Sequence, residues 1–112
     1  MKGYQAGYAI MKTLIGAVQK TPSIEVIEGA TALRLLTEDN AMTGVVVSKD
    51  GGPPYVVQAS AYLLAAGGTG SLFARTTNPP SVRGLALGMA ARAGAKIADA
   101  EFVQFHPTAI DL

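Results

Sequence analysis

An apolar segment that runs directly into a cluster of glycines constrains the fold of this chain more than any other feature. Residues 61–66 read Ala-Tyr-Leu-Leu-Ala-Ala, without a charged side chain, and Gly67, Gly68 and Gly70 follow. An unbroken apolar run of this length is typical of a strand that is buried on both faces of a layered α/β sheet. The segment therefore predicts an α/β fold with this strand in its interior.

The glycine cluster has two interpretations. Glycines after a buried strand allow backbone N–H groups to approach a phosphate or a ring system closely. Phe73, however, stands where the dinucleotide-binding pattern has its third glycine, and no helix of the right kind follows at once. The alternative, which the bare pattern favours, is an ordinary tight turn after a core strand.

Helical spacing of apolar residues predicts a helix over residues 5–20 and a second over about 82–93, with Gly94 capping its end. We expect the apolar stripe of each helix to be buried. The stripes consist of Ile10, Met11, Leu14, Ile15 and Val18 in the first helix, and of Val82, Leu85, Ala86, Met89, Ala90 and Ala93 in the second. Thr76, Thr77 and Asn78 precede the second helix, and they either cap it or hydrogen-bond a cofactor.

Short segments that alternate or contain β-branched and other apolar residues predict several short strands. They lie at about 24–28, 30–37, 44–48, 55–59, 96–99 and 101–105. Polar turns at 38–40 and 50–54 separate three of them, which predicts a small antiparallel meander in the middle of the chain.

The most unusual polar residues lie near the end of the chain. Gln104 and His106 alternate along a predicted strand and so lie on one face, next to Pro107 and Thr108. A single histidine beside a turn is often structural, with both nitrogens satisfied. The alternative is that His106 donates to an anionic substrate or to a developing charge, with Gln104 and Thr108 beside it.

Composition narrows the classes of function. The chain of 112 residues has nine basic and eight acidic residues without a basic stripe, so we expect no nucleic-acid partner. It has no cysteine and one histidine, which disfavours a metal site. No apolar run is long enough to span a bilayer, so we expect no membrane partner and a cytoplasmic location.

Four segments resemble, in order and spacing, the flavoprotein family that comprises L-aspartate oxidase and the flavoprotein subunits of succinate dehydrogenase and fumarate reductase. They are residues 65–68, 76–78, 90–94 and 101–108. Thr-Thr-Asn-Pro at 76–79 and Glu-Phe-Val-Gln-Phe at 101–105 favour the L-aspartate oxidase branch. The resemblance implies a FAD/NAD(P)-binding domain, Rossmann-like and of the glutathione-reductase type, that contains the antiparallel meander.

The resemblance also implies FAD as the cofactor and a small dicarboxylate, L-aspartate or fumarate, as the ligand. The L-aspartate oxidase branch oxidises L-aspartate to iminoaspartate in de novo NAD biosynthesis, with hydride transfer to the flavin. The resemblance implies that His106, Thr108 and Gln104 hold the dicarboxylate. The residues that it places against the cofactor are Ala66, Gly67, Gly68, Thr77 and Asn78 at the flavin, and Ala30 at the adenine end.

The sequence departs from the family in two ways. Gly84-Leu85-Ala86 stands where the family has Gly-Asp-Gly, so an acidic residue near the cofactor is absent. Residues 1–112 also match only part of the FAD-binding domain, without its N-terminal dinucleotide-binding βαβ unit and without the capping domain. We therefore expect the 112-residue chain to be a catalytically inactive fragment with exposed apolar edges that self-associates.

Two alternatives to an L-aspartate oxidase fragment stay open. One is a fragment of a fumarate reductase or succinate dehydrogenase flavoprotein. The other is a non-enzymatic domain that has lost its cofactor, which Leu85 supports weakly.

Overall fold

A three-stranded antiparallel sheet forms the centre of the chain. A computed structural model describes residues 5–105. The elements in chain order are α1 (Gln5–Gln19), β1 (Ala30–Glu38), β2 (Ala41–Lys49), β3 (Tyr55–Val57), a short 3-10 helix (Gly70–Leu72) and α2 (Leu85–Arg92). The strands lie side by side in the order β1-β2-β3, each antiparallel to its neighbour. The predicted meander and the α/β class are therefore confirmed.

Local turn chemistry sets the register of this sheet. Asp39 and Asn40 connect β1 to β2, and both have positive φ angles, of 50° and 60°. A two-residue connection of this kind matches the twist of an antiparallel pair, and Asn and Asp tolerate it better than most residues. Asp50 and Gly51, with φ of 51° and 72°, begin the turn toward β3. Leu33 is an extra residue in β1, where the pairing with β2 shifts between Ala32 and Arg34.

The core of the described region is the contact between α2 and the sheet. Leu35 of β1 packs with Ala86 and Met89 of α2, and all three are buried. Partly buried Met42, Val45 and Ala93 surround them. The predicted core face of α2 is thus confirmed at Ala86 and Met89, whereas Leu85 on the predicted stripe is 60% exposed.

The C-terminal end of α2 closes as the sequence predicts. Gly94 has φ of 86°, and its N–H donates to the Ala91 carbonyl at 3.1 Å. The N–H of Ala95 donates to the Ala90 carbonyl at 3.0 Å. These two hydrogen bonds form a Schellman motif, which satisfies the last carbonyls of a helix.

Several predicted strands are not formed within residues 5–105. The structure has no strand at 24–28, at 61–66, at 96–99 or at 101–105. The prediction of a doubly buried strand at 61–66 is wrong for the described chain, since Leu63 is 90% exposed. A strand needs a hydrogen-bonded neighbour, and none of the described strands pairs with these segments.

The apolar stripe of α1 is also exposed, against expectation. Ile10, Met11, Leu14 and Ile15 are each at least half exposed. Among the described elements, α1 contacts neither α2 nor the sheet. The prediction of a helix is confirmed, but the prediction that its stripe lies in a core is wrong, because residues 5–105 supply no surface that covers it.

The chain is less compact than a domain of its length. Its radius of gyration is 17.1 Å, whereas a compact chain of this length is expected to have about 13 Å. No helix in the described range is both long and apolar enough to cross a bilayer.

Candidate functional site

The glycine segment, defined as residues 66–70, presents its backbone to open space. A Cβ atom added at Gly67 or at Gly68 would meet no other atom within 4 Å. Ala66, Gly67 and Gly68 are all exposed. A flat group could therefore approach the backbone of these three residues without meeting a side chain.

Hydrogen bonds attach this segment to the chain just before α2. The N–H of Gly84 donates to the Gly68 carbonyl at 2.8 Å, and the N–H of Ser71 donates to the Val82 carbonyl at 2.9 Å. The Ser71 hydroxyl also lies 2.7 Å from the Val82 carbonyl and 3.2 Å from that of Pro80. The open backbone at 66–68 thus borders a short fixed loop at the N-terminal end of α2.

Gly84 and Gly70 allow this loop to pack closely. Gly84 has φ of 70°, and a Cβ there would lie 2.6 Å from Thr69 Cγ2. A Cβ on Gly70 would overlap the side-chain amide of Asn78, with Cγ at 2.6 Å. The group that packs closely against Gly84 is therefore the Thr69 side chain.

Asn78 supports the glycine segment and does not cap a helix. Its backbone N–H and its side-chain Nδ2 both donate to Thr76 Oγ1, at 3.1 Å and 3.3 Å. α2 begins only at Leu85, and its N-cap residue Gly84 makes no side-chain capping bond. The capping interpretation of residues 76–78 is therefore wrong. Thr77 is exposed beside this contact.

The structure brings some of the sequence-predicted site residues together and leaves others apart. Ala66, Gly67, Gly68 and Asn78 belong to one loop cluster. Ala30 is exposed at the start of β1, where it pairs with Lys49. The contact of β1 with α2 is at Leu35, about 16 Å further along an extended strand.

The sequence-predicted substrate residues are described only in part. Gln104 is exposed, in a segment without regular secondary structure. His106 and Thr108 lie outside the described residues. Their alternation on one strand face with Gln104 stays a prediction.

Two members of the loop cluster were not predicted from the sequence. Ser71 holds the loop with its hydroxyl, and Thr69 covers Gly84. The signal for Ser71 was a hydroxyl residue inside a glycine-rich turn, which commonly bonds to nearby backbone. Thr69 gave no comparable signal, because its contact spans 15 residues of sequence.

The cluster offers backbone groups and neutral side chains, not charges. No polar or charged side chain is buried among the described residues. Over residues 5–105, no three His, Cys, Asp or Glu side chains come together as a metal site would require. Such a surface can bind a ligand by shape and by backbone hydrogen bonds, and it holds no buried acid or base.

Comparisons with known proteins agree on one family. A family model described as FAD binding domain matches residues 2–111. The chain is 53% identical over 110 residues to an L-aspartate oxidase of Caulobacter vibrioides, a match that covers 98% of this chain and 22% of that protein. No solved structure matches the chain significantly.

Two further relatives carry the same name. An L-aspartate oxidase of Agrobacterium fabrum is 48% identical over 109 residues, which are 97% of this chain and 21% of the relative. One of Mesorhizobium japonicum is 43% identical over 110 residues, 98% of this chain and 21% of the relative. The chain therefore spans about a fifth of the length of the curated relatives that it matches.

Proposed function

This chain belongs to the FAD binding domain family. From that membership and from its identity to L-aspartate oxidases, we propose that it is part of an L-aspartate oxidase. The reaction is the oxidation of L-aspartate to iminoaspartate in de novo NAD biosynthesis. When bound, FAD would accept the hydride that leaves the substrate. The observation that carries the proposal is the 53% identity to an L-aspartate oxidase over 98% of the chain. The open glycine segment, which is fixed to the loop before α2 by the Gly84–Gly68 hydrogen bond, is compatible with a flavin site.

The described residues fit one side of a flavin site. Gly67 and Gly68 have no side chains, so a planar ring could lie directly against the backbone. Asn78 and Ser71 fix the loop without occupying that space. We therefore assign Ala66, Gly67 and Gly68 to the flavin face, with Thr77 and Asn78 beside them.

Ala30 fits the other end of an extended dinucleotide. It lies at the start of β1, and its exposed position leaves the strand end accessible. We assign the adenine end of the cofactor to Ala30 on the ground of the resemblance, with which this exposure is compatible.

The substrate residues follow from the sequence pattern alone. We assign His106, Gln104 and Thr108 to a carboxylate of the bound dicarboxylate, L-aspartate or fumarate. An imidazole, an amide and a hydroxyl can all donate hydrogen bonds to a carboxylate. Their contribution would be to orient the substrate so that its α-carbon faces the flavin.

A segment exchange would test the proposal. Residues 2–111 would replace the matching segment of the Caulobacter vibrioides L-aspartate oxidase, and FAD content and L-aspartate oxidation would be measured in the purified chimera. We expect FAD to be retained and L-aspartate to be oxidised, because 53% identity preserves most packing contacts.

Each alternative predicts a different outcome of that exchange. A folded chimera that holds FAD but oxidises succinate in place of L-aspartate would favour the dehydrogenase and reductase branch. A folded chimera that holds no FAD would favour a domain that lost its cofactor, with Leu85 as the first residue to revert to Asp. Either result would overturn the proposal.

Partners and location are further parts of the proposal. The exposed apolar residues of α1 and of residues 63–64 support self-association of the isolated chain, which sedimentation at several concentrations would test. We propose that the protein binds neither nucleic acid nor a membrane. We also propose a cytoplasmic location, with which the absence of cysteine is compatible, and cell fractionation tests it.

A further inference from the structure

A concave surface lies at the opposite end of α2 from the glycine segment. Its cavity, of about 420 Å³, lies between β1 and the last turn of α2. The lining consists of Arg34, Leu35, Leu36, Thr37, Met89, Arg92 and Ala93. We call it the two-arginine groove. A volume of this size falls in the range of small-molecule sites.

Two arginine residues from different elements line this groove. Arg34 lies on β1, an edge strand of the sheet, and Arg92 lies in the last turn of α2, with its guanidinium group beside Gly88. Neither side chain makes a hydrogen bond or an ion pair with any of the residues that the structure describes. Each therefore keeps its full set of N–H donors for a ligand.

The floor of the groove is apolar. Leu35 and Met89 are buried beneath it, and Leu36 and Ala93 are partly buried at its sides. Thr37 adds one hydroxyl at the rim. Cations above an apolar floor are complementary to a molecule that has an anionic head and a short apolar body.

The position of Arg92 also decides how an anion can bind. The C-terminal end of a helix carries partial negative charge, which repels an anion from the helix backbone. The Schellman bonds at Gly94 and Ala95 already satisfy carbonyls at this end. An anion in the groove would therefore be bound through the side chains of Arg92 and Arg34.

We propose that the two-arginine groove binds a small organic anion, a carboxylate or phosphate attached to an apolar group. Guanidinium groups form bidentate hydrogen bonds with both kinds of head group. This site is separate from the flavin face, since it lies at the C-terminal end of α2 and the glycine segment lies at its N-terminal end.

The test uses the 112-residue chain and three probes. Phenyl phosphate and benzoate carry an anion on a ring, and benzyl alcohol carries the ring without the anion. Binding would be followed by perturbation of amide resonances in a ¹⁵N-labelled sample. We expect both anions to perturb Thr37 and Ala93, and we expect benzyl alcohol to perturb neither. The anion that binds more tightly identifies the head group that the groove prefers.

Substitutions separate the groove from general charge effects. Arg34→Gln and Arg92→Gln are each expected to weaken binding about tenfold, and the double substitution about a hundredfold. Arg83→Gln removes an exposed arginine outside the groove and should change nothing. The variant with both Arg34→Lys and Arg92→Lys keeps the two charges but loses the planar guanidinium groups that form bidentate hydrogen bonds. It should therefore retain part of the affinity.

Three outcomes would overturn the proposal. The first is that neither anion binds saturably at concentrations up to 10 mM (about −2.7 kcal/mol). The second is that the Arg83→Gln control loses as much affinity as the groove variants. The third is that the perturbed resonances map away from β1 and the end of α2. Far-UV circular dichroism of each variant would show that a loss of binding does not reflect a loss of fold.

Discussion

The hairpin region, residues 30–57, and the glycine segment with its neighbours, residues 58–84, are of similar length but differ in what stabilises them. Each strand of the hairpin region pairs with the next strand along the chain. The second region contains only one turn of 3-10 helix, and its loop is fixed by hydrogen bonds between residues 68–71 and 80–84. Local pairing is sufficient for the first, whereas the apolar strand predicted in the second would require neighbours from elsewhere.

The contact between α2 and β1 joins the hairpin region to the helix that follows the glycine segment, and its loss should have the largest effect. Leu35→Ala removes the buried side chain from β1 and is expected to lower the free energy of unfolding by about 3 kcal/mol. Leu33→Ala, on the same strand at the bulge, is the matched control because Leu33 is 45% exposed. Urea denaturation followed by circular dichroism measures both. Equal effects of the two substitutions would contradict the assignment of the core to Leu35.

The next prediction compares two glycines that have similar φ angles in the two regions. Gly84 has φ of 70° and contacts Thr69, whereas Gly51 has φ of 72° and open space around it. Gly51→Ala should lower the unfolding free energy by about 1 kcal/mol through φ alone, and Gly84→Ala by about 2 kcal/mol because a clash is added.

A second substitution separates the clash from the φ effect. Thr69→Ser removes the Cγ2 methyl that the new Cβ at position 84 would meet. In the Thr69→Ser background, Gly84→Ala should therefore cost about as much as Gly51→Ala, about 1 kcal/mol. A cost that stays at its original value would show that Thr69 does not cover Gly84 in solution.

A smaller effect is expected in the turn between β1 and β2. Asn40 has φ of 60°, so Asn40→Ala should lower the unfolding free energy by about 1 kcal/mol or less, and Asn40→Gly should leave it nearly unchanged. Thermal unfolding of the two variants measures the difference. If the alanine and glycine variants unfold alike, the left-handed conformation at Asn40 would be wrong.

The same contrast explains what the sequence could and could not predict. Asp39 and Asn40 have positive φ angles within their own turn, and Gly94 bonds to a carbonyl three residues earlier, so this turn and this cap could be predicted from local chemistry. The exposure of Leu63 could not be predicted in this way, because an apolar strand is buried only if other strands flank it. The burial of the apolar stripe of α1 was wrongly predicted for the same reason, since periodicity identifies an apolar face but not the surface that covers it.

The candidate site also contains residues that could be predicted from the sequence and contacts that could not. The glycines at 67 and 68 and the residues 76–78 could be picked out from the resemblance. The pairing of Asn78 with Gly70 and of Ser71 with Val82 could not, because these contacts join residues eight and eleven positions apart in irregular backbone. Such contacts follow no period along the sequence, and only the folded loop reveals them.

The last prediction, with the smallest expected effect, is that the isolated 112-residue chain leaves FAD fluorescence unquenched at tens of micromolar. Binding would then be weaker than about −6 kcal/mol. The glycine segment offers one open face to the ring, and no buried polar group among the described residues adds to it. His106→Ala is the control and should give the same trace as the unaltered chain.

Saturable micromolar quenching would contradict this expectation and would change the comparison between the two regions. The glycine segment would then be an independent flavin site, although residues 61–66 form no strand beneath it. Quenching that is lost in Gly68→Val, which adds a side chain to the open backbone, would place the ring there. Loss in His106→Ala would instead place it near the end of the chain. The absence of quenching, combined with FAD retention in the chimera, would show that the segment completes a cofactor site which other parts of an oxidase begin.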